Sequence, residues 1–599
     1  MSEGPSRQDG SYPRPQLVRA GWSSLDGDWE FAFDDDDRGL GAGWPAGSVP
    51  LDRTIRVPFC PESELSGIGD TAPHRVVWYR RAVEFPTPGA GDRTLLHFGA
   101  VDHTCRVWVD GIEVGRHEGG QTPFTFDITA ALQRDTHHIV VRAEDGPDDL
   151  EIPRGKQDWL PDPHAIWYPR TTGIWQSVWW ETTPATAIDR VGWSSDLVHG
   201  TVTAEVRLTG PLDEGFVLDL RAELDGTVLA AVSTEVRSHE LTVVLRPTRL
   251  RAGQARDALL WSPEHPVLVD AELVLRSGAT PVDRVGSYFG IRSVAVADGT
   301  FQLNGHPCFV RSVLEQGYWP DGLQTAPSDD ARRREVELIK ELGFNAARIH
   351  QKAEDPRFLY WADRLGLMLW GETAAAYDFS PRAVQLLTSE WLDLVERDRS
   401  HPSIVTWVPF NESWGVQDIS RDPAQREFVR GLASLTRAID PTRPVVSSDG
   451  WEHVNSDILT IHDYAADPAV LASRYATREA LLEAAGGMGP QGRVVRVDPY
   501  ATPDGLPIMV SEFGGTSFAG TGTWGYSVVG SEEEFESLLR AQFAALSAPV
   551  LAGFCYTQFA DTFQETNGLV TADRVPKLPV ASLRALIAGP PGFTWPPVV

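Results

Sequence analysis

Cysteine is scarce in this chain. The four residues, Cys60, Cys105, Cys308 and Cys555, lack the close spacing that binds zinc or staples a small secreted domain, and they read as reduced structural thiols. No His-x-x-x-His pair is present either, so no zinc site is expected. Positive charge is in short supply, with 53 Lys and Arg against 83 Asp and Glu, for a net charge of −30. Nucleic acid and anionic membrane surfaces both demand a cationic footprint, so neither is expected as a partner. No stretch approaches the roughly 18 apolar residues of a membrane span. The opening MSEGPSRQDGSYPRPQ has no apolar signal core, and the expectation is a cytoplasmic chain.

Tryptophan, by contrast, is plentiful at 21 residues, within a composition that is 42% hydrophobic and 10% aromatic. Across 599 residues this suits several packed cores rather than one. Indole rings stack on the C–H faces of sugars and also simply fill cores, so composition leaves a carbohydrate ligand open.

The pattern changes character along the chain. Short alternating runs such as RTLLHFGAV, TCRVWVDGIEVG and HHIVVRAED, broken by Asp-Gly and Gly-Gly turns, predict an all-β sandwich or jelly roll over residues 1–184. VTAEVRLTG, FVLDLRAEL, ELTVVLRP and VDAELVLRSG predict a smaller β-sandwich over 185–291. From 292 to 599 strand-like runs alternate with helical ones. Eight are counted: 308–315, 345–350, 367–372, 403–412, 444–450, 458–464, 507–515 and 551–559. Eight alternations over this length predict a (β/α)8 barrel. Ser328 followed by acids marks one helix start, and SEEEFESLLRAQFAAL another.

Barrel chemistry sits at the C-terminal ends of the strands. Glu412 closes the fourth run and Glu512 the seventh, so their carboxylates are expected to face each other across the mouth. One such acid can protonate a leaving glycosidic oxygen while the other attacks the anomeric carbon. Either Glu alone could be an ion-paired surface residue; two at matching strand ends in apolar contexts favour catalysis. The stretch GTGTWG (520–525) matches a dinucleotide fingerprint literally, but it follows Glu512 in a loop and is set aside.

NESWG (411–415) and SEFGG (511–515) resemble the acid/base and nucleophile motifs of glycoside hydrolase family 2. The resemblance extends to 95–129 and 168–181 in the first segment, to LWSPEHP and YFGIRSV near the end of the second, and to 341–372 in the third. It implies a jelly roll, an immunoglobulin-like sandwich and a (β/α)8 barrel. It also implies a retaining, exo-acting enzyme that removes a terminal sugar. Glu412 is then the general acid/base, with a raised pKa, and Glu512 the nucleophile. Asn411 holds the hydroxyl beside the anomeric carbon, Tyr464 touches the nucleophile, and Arg348, His350 and Glu372 line the sugar subsite. Arg348 serves equally well as a structural partner of the carboxylates.

Departures from the family pattern bear on specificity. Where family β-glucuronidases carry an Asn-x-Lys pair for the sugar carboxylate, this chain has Glu565 and Asn567, which disfavours a uronic acid. TAAAYDF (373–379) lacks the Glu and His of the metal-dependent β-galactosidases, so no metal and no cofactor are expected. Strand eight reads CYTQF, leaving Tyr556, Thr557 or Gln558 to form a wall where many relatives have Trp. Trp319 is a candidate for stacking on sugar, or for packing back on the barrel. The expected activity is that of a β-galactosidase on a small glycoside or oligosaccharide. β-Galactofuranosidase, arabinosidase, β-glucuronidase and β-mannosidase are the alternatives within the family, and a non-catalytic carbohydrate-binding protein is the alternative outside it. Relatives form dimers or tetramers in which a neighbour can complete the site, so a homo-oligomer is among the expectations.

Overall fold

A computed structural model describes residues 4–589, except 87, 90, 213–214, 252, 498–504 and 519–523; most of the GTGTWG stretch thus lies outside the described residues. In the first segment a six-stranded antiparallel sheet, ordered Arg53–Val57, Gly27–Phe33, Val76–Val83, His137–Glu144, Thr104–Val109 and Ile112–Glu118, faces a four-stranded one. Trp29, Phe31, Tyr79, Leu96, Phe98, Ile139 and Val141 fill the space between them. The second segment packs a three-stranded sheet on a four-stranded one. Its strand Phe216–Leu224 shows why the fold follows from the sequence: Phe216, Leu218, Leu220 and Ala222 are buried while the residues between them are more exposed. A side-chain period of two puts one face in the core. All four cysteines are unpaired.

The third segment carries seven parallel strands, ordered Ile404–Val408, Met368–Glu372, Ala346–Ile349, Val310–Glu315, Gly553–Thr557, Ile508–Gly514 and Leu459–Asp463. The expected fifth strand, 444–450, is not a regular strand. It is tied by isolated parallel bridges, Trp407 to Val445 and Asn411 to Asp449, and Gly450 N–H donates to Thr460 Oγ1 at 2.9 Å. Hydroxyls supply the reason. Ser447 N–H and Oγ both pair with Ser456 Oγ at 2.8 Å, so side-chain bonds replace part of the ladder. The segment still closes the ring between Ile404–Val408 and Leu459–Asp463. Outer helices start as their sequences suggest: Ser328 caps Asp329–Glu341, Ser380 caps Pro381–Asp398, and Ser531 caps Glu532–Leu546 ahead of three glutamates. Among the described residues no helix is long and apolar enough to cross a membrane.

Candidate active site

The site is organised by one arginine. Arg348 lies on the fully buried strand Ala346–Ile349 and is itself 0% exposed. Its guanidinium touches Glu372 and reaches Asp449 Oδ2 at 2.5 Å, Asn411 Oδ1 at 2.7 Å and Glu512 Oε1 at 2.9 Å. Burial works against this cation, but Asp449, Glu372 and Glu512 more than offset it and hold its pKa well above the ordinary value. A planar fork with several donors can serve all of these partners at once. These contacts are those of the second of its two expected roles, a partner of the carboxylates.

Glu412 and Glu512 are brought together by different local devices. Glu412 stands beyond the end of Ile404–Val408, in a turn where Glu412 and Ser413 take φ of +54° and +57°. Left-handed backbone at non-glycine residues costs about 1–3 kcal/mol each and marks an over-determined site. Glu412 N–H donates to Asp449 O at 3.0 Å, and Ser413 Oγ to Glu452 Oε2 at 2.7 Å, which hold the turn. Glu512 lies inside Ile508–Gly514, where the register shifts against both neighbouring strands. Such irregularities re-aim a side chain. Tyr464, just past Leu459–Asp463, donates its hydroxyl to Glu512 Oε2, as expected, and its oxygen lies 3.1 Å from Thr557 Oγ1. Carboxylate oxygens of Glu412 and Glu512 lie within 4.8 Å of each other.

The expectation for the Glu412 proton is reversed. Burial alone raises its pKa, but a hydrogen bond and the charge of His462, with Lys156 and Arg348 behind, bring it below the ordinary value. His462 is fully enclosed, with Nδ1 2.7 Å from Glu412 Oε1 and 3.5 Å from Glu512 Oε2, and Nε2 2.7 Å from Asp449 Oδ2. Burial disfavours its imidazolium, yet Glu512, Asp449 and Glu412 push its pKa up to about 10. The opposite shifts favour the shared proton on the His462 side of this pair. Glu412, His462 and Glu512 are close enough to surround a cation. With both ring nitrogens engaged by carboxylates, however, His462 offers no lone pair, and the donor set is that of a proton-sharing cluster.

The remaining expected residues divide. His350 Nδ1 pairs with Gln316 Oε1 at 2.9 Å and Nε2 lies 3.8 Å from Glu512; burial and Arg348 hold it neutral, well below the usual imidazole range. Gln558 accepts from Gln316 Nε2 at 2.6 Å, which puts it on the same wall. Tyr556 packs instead against Phe513 and Phe543, away from the site. Glu372 is pushed up by burial to about 7, against the pull of Arg348. Trp319 takes the packing alternative: the Arg574 guanidinium sits 3.7 Å from its ring centre and covers one face. Sequence reasoning missed His462, Asp449, Tyr526, which stacks on Tyr464, and Lys156. For His462 a signal existed, since alternation in ILTIHDY puts it on the same face as Tyr464.

The domains have counterparts among known proteins. The sugar-binding domain model of glycosyl hydrolases family 2 matches residues 22–184, and the family's TIM barrel domain model matches residues 294–526. A β-galactosidase from Thermoanaerobacter pseudethanolicus is 27% identical over 404 residues, 65% of this chain and 51% of its own length. A β-glucuronidase from Canis lupus familiaris is 27% identical over 516 residues, 76% of this chain and 74% of its own. The chain spans about half or less of the length of the first curated relatives it matches. The fold is similar to that of Bifidobacterium dentium β-glucuronidase complexed with coumarin-3-O-glucuronide, with a TM-score of 0.77 at 21% identity over 97% of this chain and 99% of that one. Both family models fall where the sandwich and the carboxylate-bearing barrel stand, and the chain belongs to glycosyl hydrolases family 2.

Proposed function

We propose that this glycosidase is retaining and exo-acting, and that it removes a terminal β-linked neutral sugar, with β-galactosidase as its specificity. The observation that carries the retaining reading is the approach of the Glu412 and Glu512 carboxylates to within 4.8 Å. A retaining pair stands about 5–5.5 Å apart and an inverting pair about 6.5–9.5 Å, which leaves room for a water. Glu512, oriented by Arg348 and Tyr464, attacks the anomeric carbon. Glu412 receives the pair's shared proton from His462 Nδ1 as it protonates the departing oxygen, which leaves Glu412 ionised and His462 neutral, and the pair later takes a proton from the water that releases the sugar. Asn411 has its oxygen held by Arg348, so its amide nitrogen is free to donate to the hydroxyl beside the reacting carbon.

A second reading, a β-glucuronidase, is favoured by one observation: a buried ammonium, Lys156, stands in the same mouth. Turnover of 4-nitrophenyl β-galactoside and β-glucuronide by the wild type separates the two readings. Glu512→Ala tests the mechanism beneath both, because it should abolish turnover of either. Unchanged turnover in that variant would overturn the assignment of the nucleophile.

A further inference from the structure

Lys156 is a buried charge for which the protein supplies no counterion in contact. It is 4% exposed, and among the described residues its ammonium forms neither an ion pair nor a hydrogen bond. Its described contact is the face of Tyr168, with Nζ 5.5 Å from the ring centre. An unpaired buried cation is destabilising, so a role in packing alone does not account for it.

Its placement is built from both domains. The lysine belongs to the segment RGKQ (154–157) of the N-terminal sandwich. Arg154 and Gly155 N–H both donate to Ala375 O at 3.0 Å, and Tyr377 Oη donates to Gly155 O at 2.6 Å. Gly155 has a φ of +60°, and a Cβ there would stand 2.3 Å from the Gln351 carbonyl oxygen. The segment is thus pressed onto the loops that follow the second and third barrel strands. Tyr168 N–H donates to Lys156 O at 2.8 Å, and the Tyr168 hydroxyl donates to Glu565 Oε2 at 2.6 Å. The ring on which the ammonium rests therefore ends at a carboxylate from the far side of the barrel.

Glu565 is the complement of Lys156. Asn567 Nδ2 donates to its Oε1 at 3.0 Å and Tyr168 to its Oε2, so each oxygen keeps a lone pair for a further donor. No ion pair joins Glu565 to Lys156. Burial raises the pKa of Glu565 and lowers that of Lys156, each opposed by the other's charge. A donor and an acceptor held near each other but out of contact match a sugar hydroxyl, which can accept from one and donate to the other. They do not match a carboxylate. The acids around the mouth, Glu372, Glu412, Asp449, Glu512 and Glu565, already outnumber the cations Arg348, His462 and Lys156.

We infer that Lys156 and Glu565 form a specificity pair that grips neutral hydroxyls of the terminal sugar and rejects sugars bearing a carboxylate. This rests on the glycosidase reading above and deepens it. The N-terminal sandwich then supplies a substrate-binding residue to the barrel's own site.

The test uses the full-length chain and its Lys156→Met, Glu565→Gln and Glu512→Ala variants. The substrates are 4-nitrophenyl β-galactoside, its analogues lacking one hydroxyl each, and 4-nitrophenyl β-glucuronide. Lys156→Met should lower kcat/KM on the galactoside roughly 10- to 100-fold, the effect of losing a charged hydrogen bond. One deoxy analogue should lose as much in the wild type and lose nothing further in the variant. Thermal unfolding of Lys156→Met should occur at the same temperature or higher. A lysine that merely packs would instead lower the unfolding temperature and reduce turnover of every analogue by the same factor, and that result overturns the inference. A wild-type preference for the glucuronide, with Lys156→Met abolishing it, overturns it too while leaving the glycosidase reading intact. Activity surviving in Glu512→Ala is the separate outcome that brings down the glycosidase mechanism itself.

Discussion

Replacing His462 by Gln should move the alkaline limb of the pH–rate profile. In the wild type one proton is shared between Glu412 and His462, and burial opposed by Glu512, Asp449 and Glu412 pushes the imidazole up to about 10. A shift from 6.5 to about 10 corresponds to a ceiling of about 5 kcal/mol of preference for the charged ring in the folded site. The folded pKa is raised, so this contribution to stability is full below pH 6.5 and is lost as the pH rises through about 10. Activity depends on the same proton, because Glu412 has none to give once the pair is empty. In His462→Gln the proton can reside only on Glu412, where burial raises the pKa while Lys156 and Arg348 lower it. The alkaline limb should then fall to about pH 5–8, the range of a tuned carboxylic acid. The assay is kcat/KM from pH 4 to 11 with 4-nitrophenyl and 2,4-dinitrophenyl glycosides. The second leaving group departs without help and should show a weakened limb. Thermal midpoints should decline more steeply between pH 8 and 10 in the wild type than in the variant. An alkaline limb in the same place for both proteins would refute the shared-proton account.

Other consequences are as direct. Arg348→Met strips Glu372, Asp449 and Glu512 of their common cation; breaking a buried pair costs about 3–5 kcal/mol, so a lowered unfolding temperature and lost activity are expected. Arg348→Lys should not restore turnover, since an ammonium cannot span the same partners, and wild-type rates in it would contradict the fork geometry. Glu390, on Pro381–Asp398, accepts from Gln121 N–H at 2.8 Å across the domain interface and is pushed up by burial to about 8. Its neutral form is the stable one, so that stability is full below pH 4.5 and is lost as the pH rises through about 8. Glu390→Gln should flatten the fall of thermal midpoint over that window, and an unchanged slope would discount it. Gly155→Ala places a methyl group 2.3 Å from Gln351 O and adds about 1–2 kcal/mol of left-handed strain. Its kcat/KM should drop at least as far as that of Lys156→Met.

The facing pair of carboxylates, proposed as catalytic, was legible because motif and strand period agreed: a Glu at the end of an apolar run, twice, on opposite sides of a ring. What surrounds them was less so. Residues 444–450 carry an apolar start but hand their ladder to Ser447 and Ser456, and no strand pattern records that exchange. Burial of Glu412 suggested a protonated acid, and it failed because the decisive neighbour, His462, comes from another strand. Trp319 was an aromatic in the right loop, yet a guanidinium reached it first. Lys156 gave no local sign at all: RGKQ reads as a polar surface turn until the barrel loops close over it.

The docking of RGKQ on the barrel also separates two inheritances. On the proposed reading, chemistry resides in strands that assemble with one another, whereas part of the grip on substrate arrives from a domain with its own core, which docks through contacts to Ala375, Tyr377 and Gln351. Recombination that exchanged the N-terminal sandwich would leave the paired glutamates untouched and hand them a different sugar. Diversification of such an enzyme can proceed by shuffling whole domains, with no trial of substitutions around the reacting carbon.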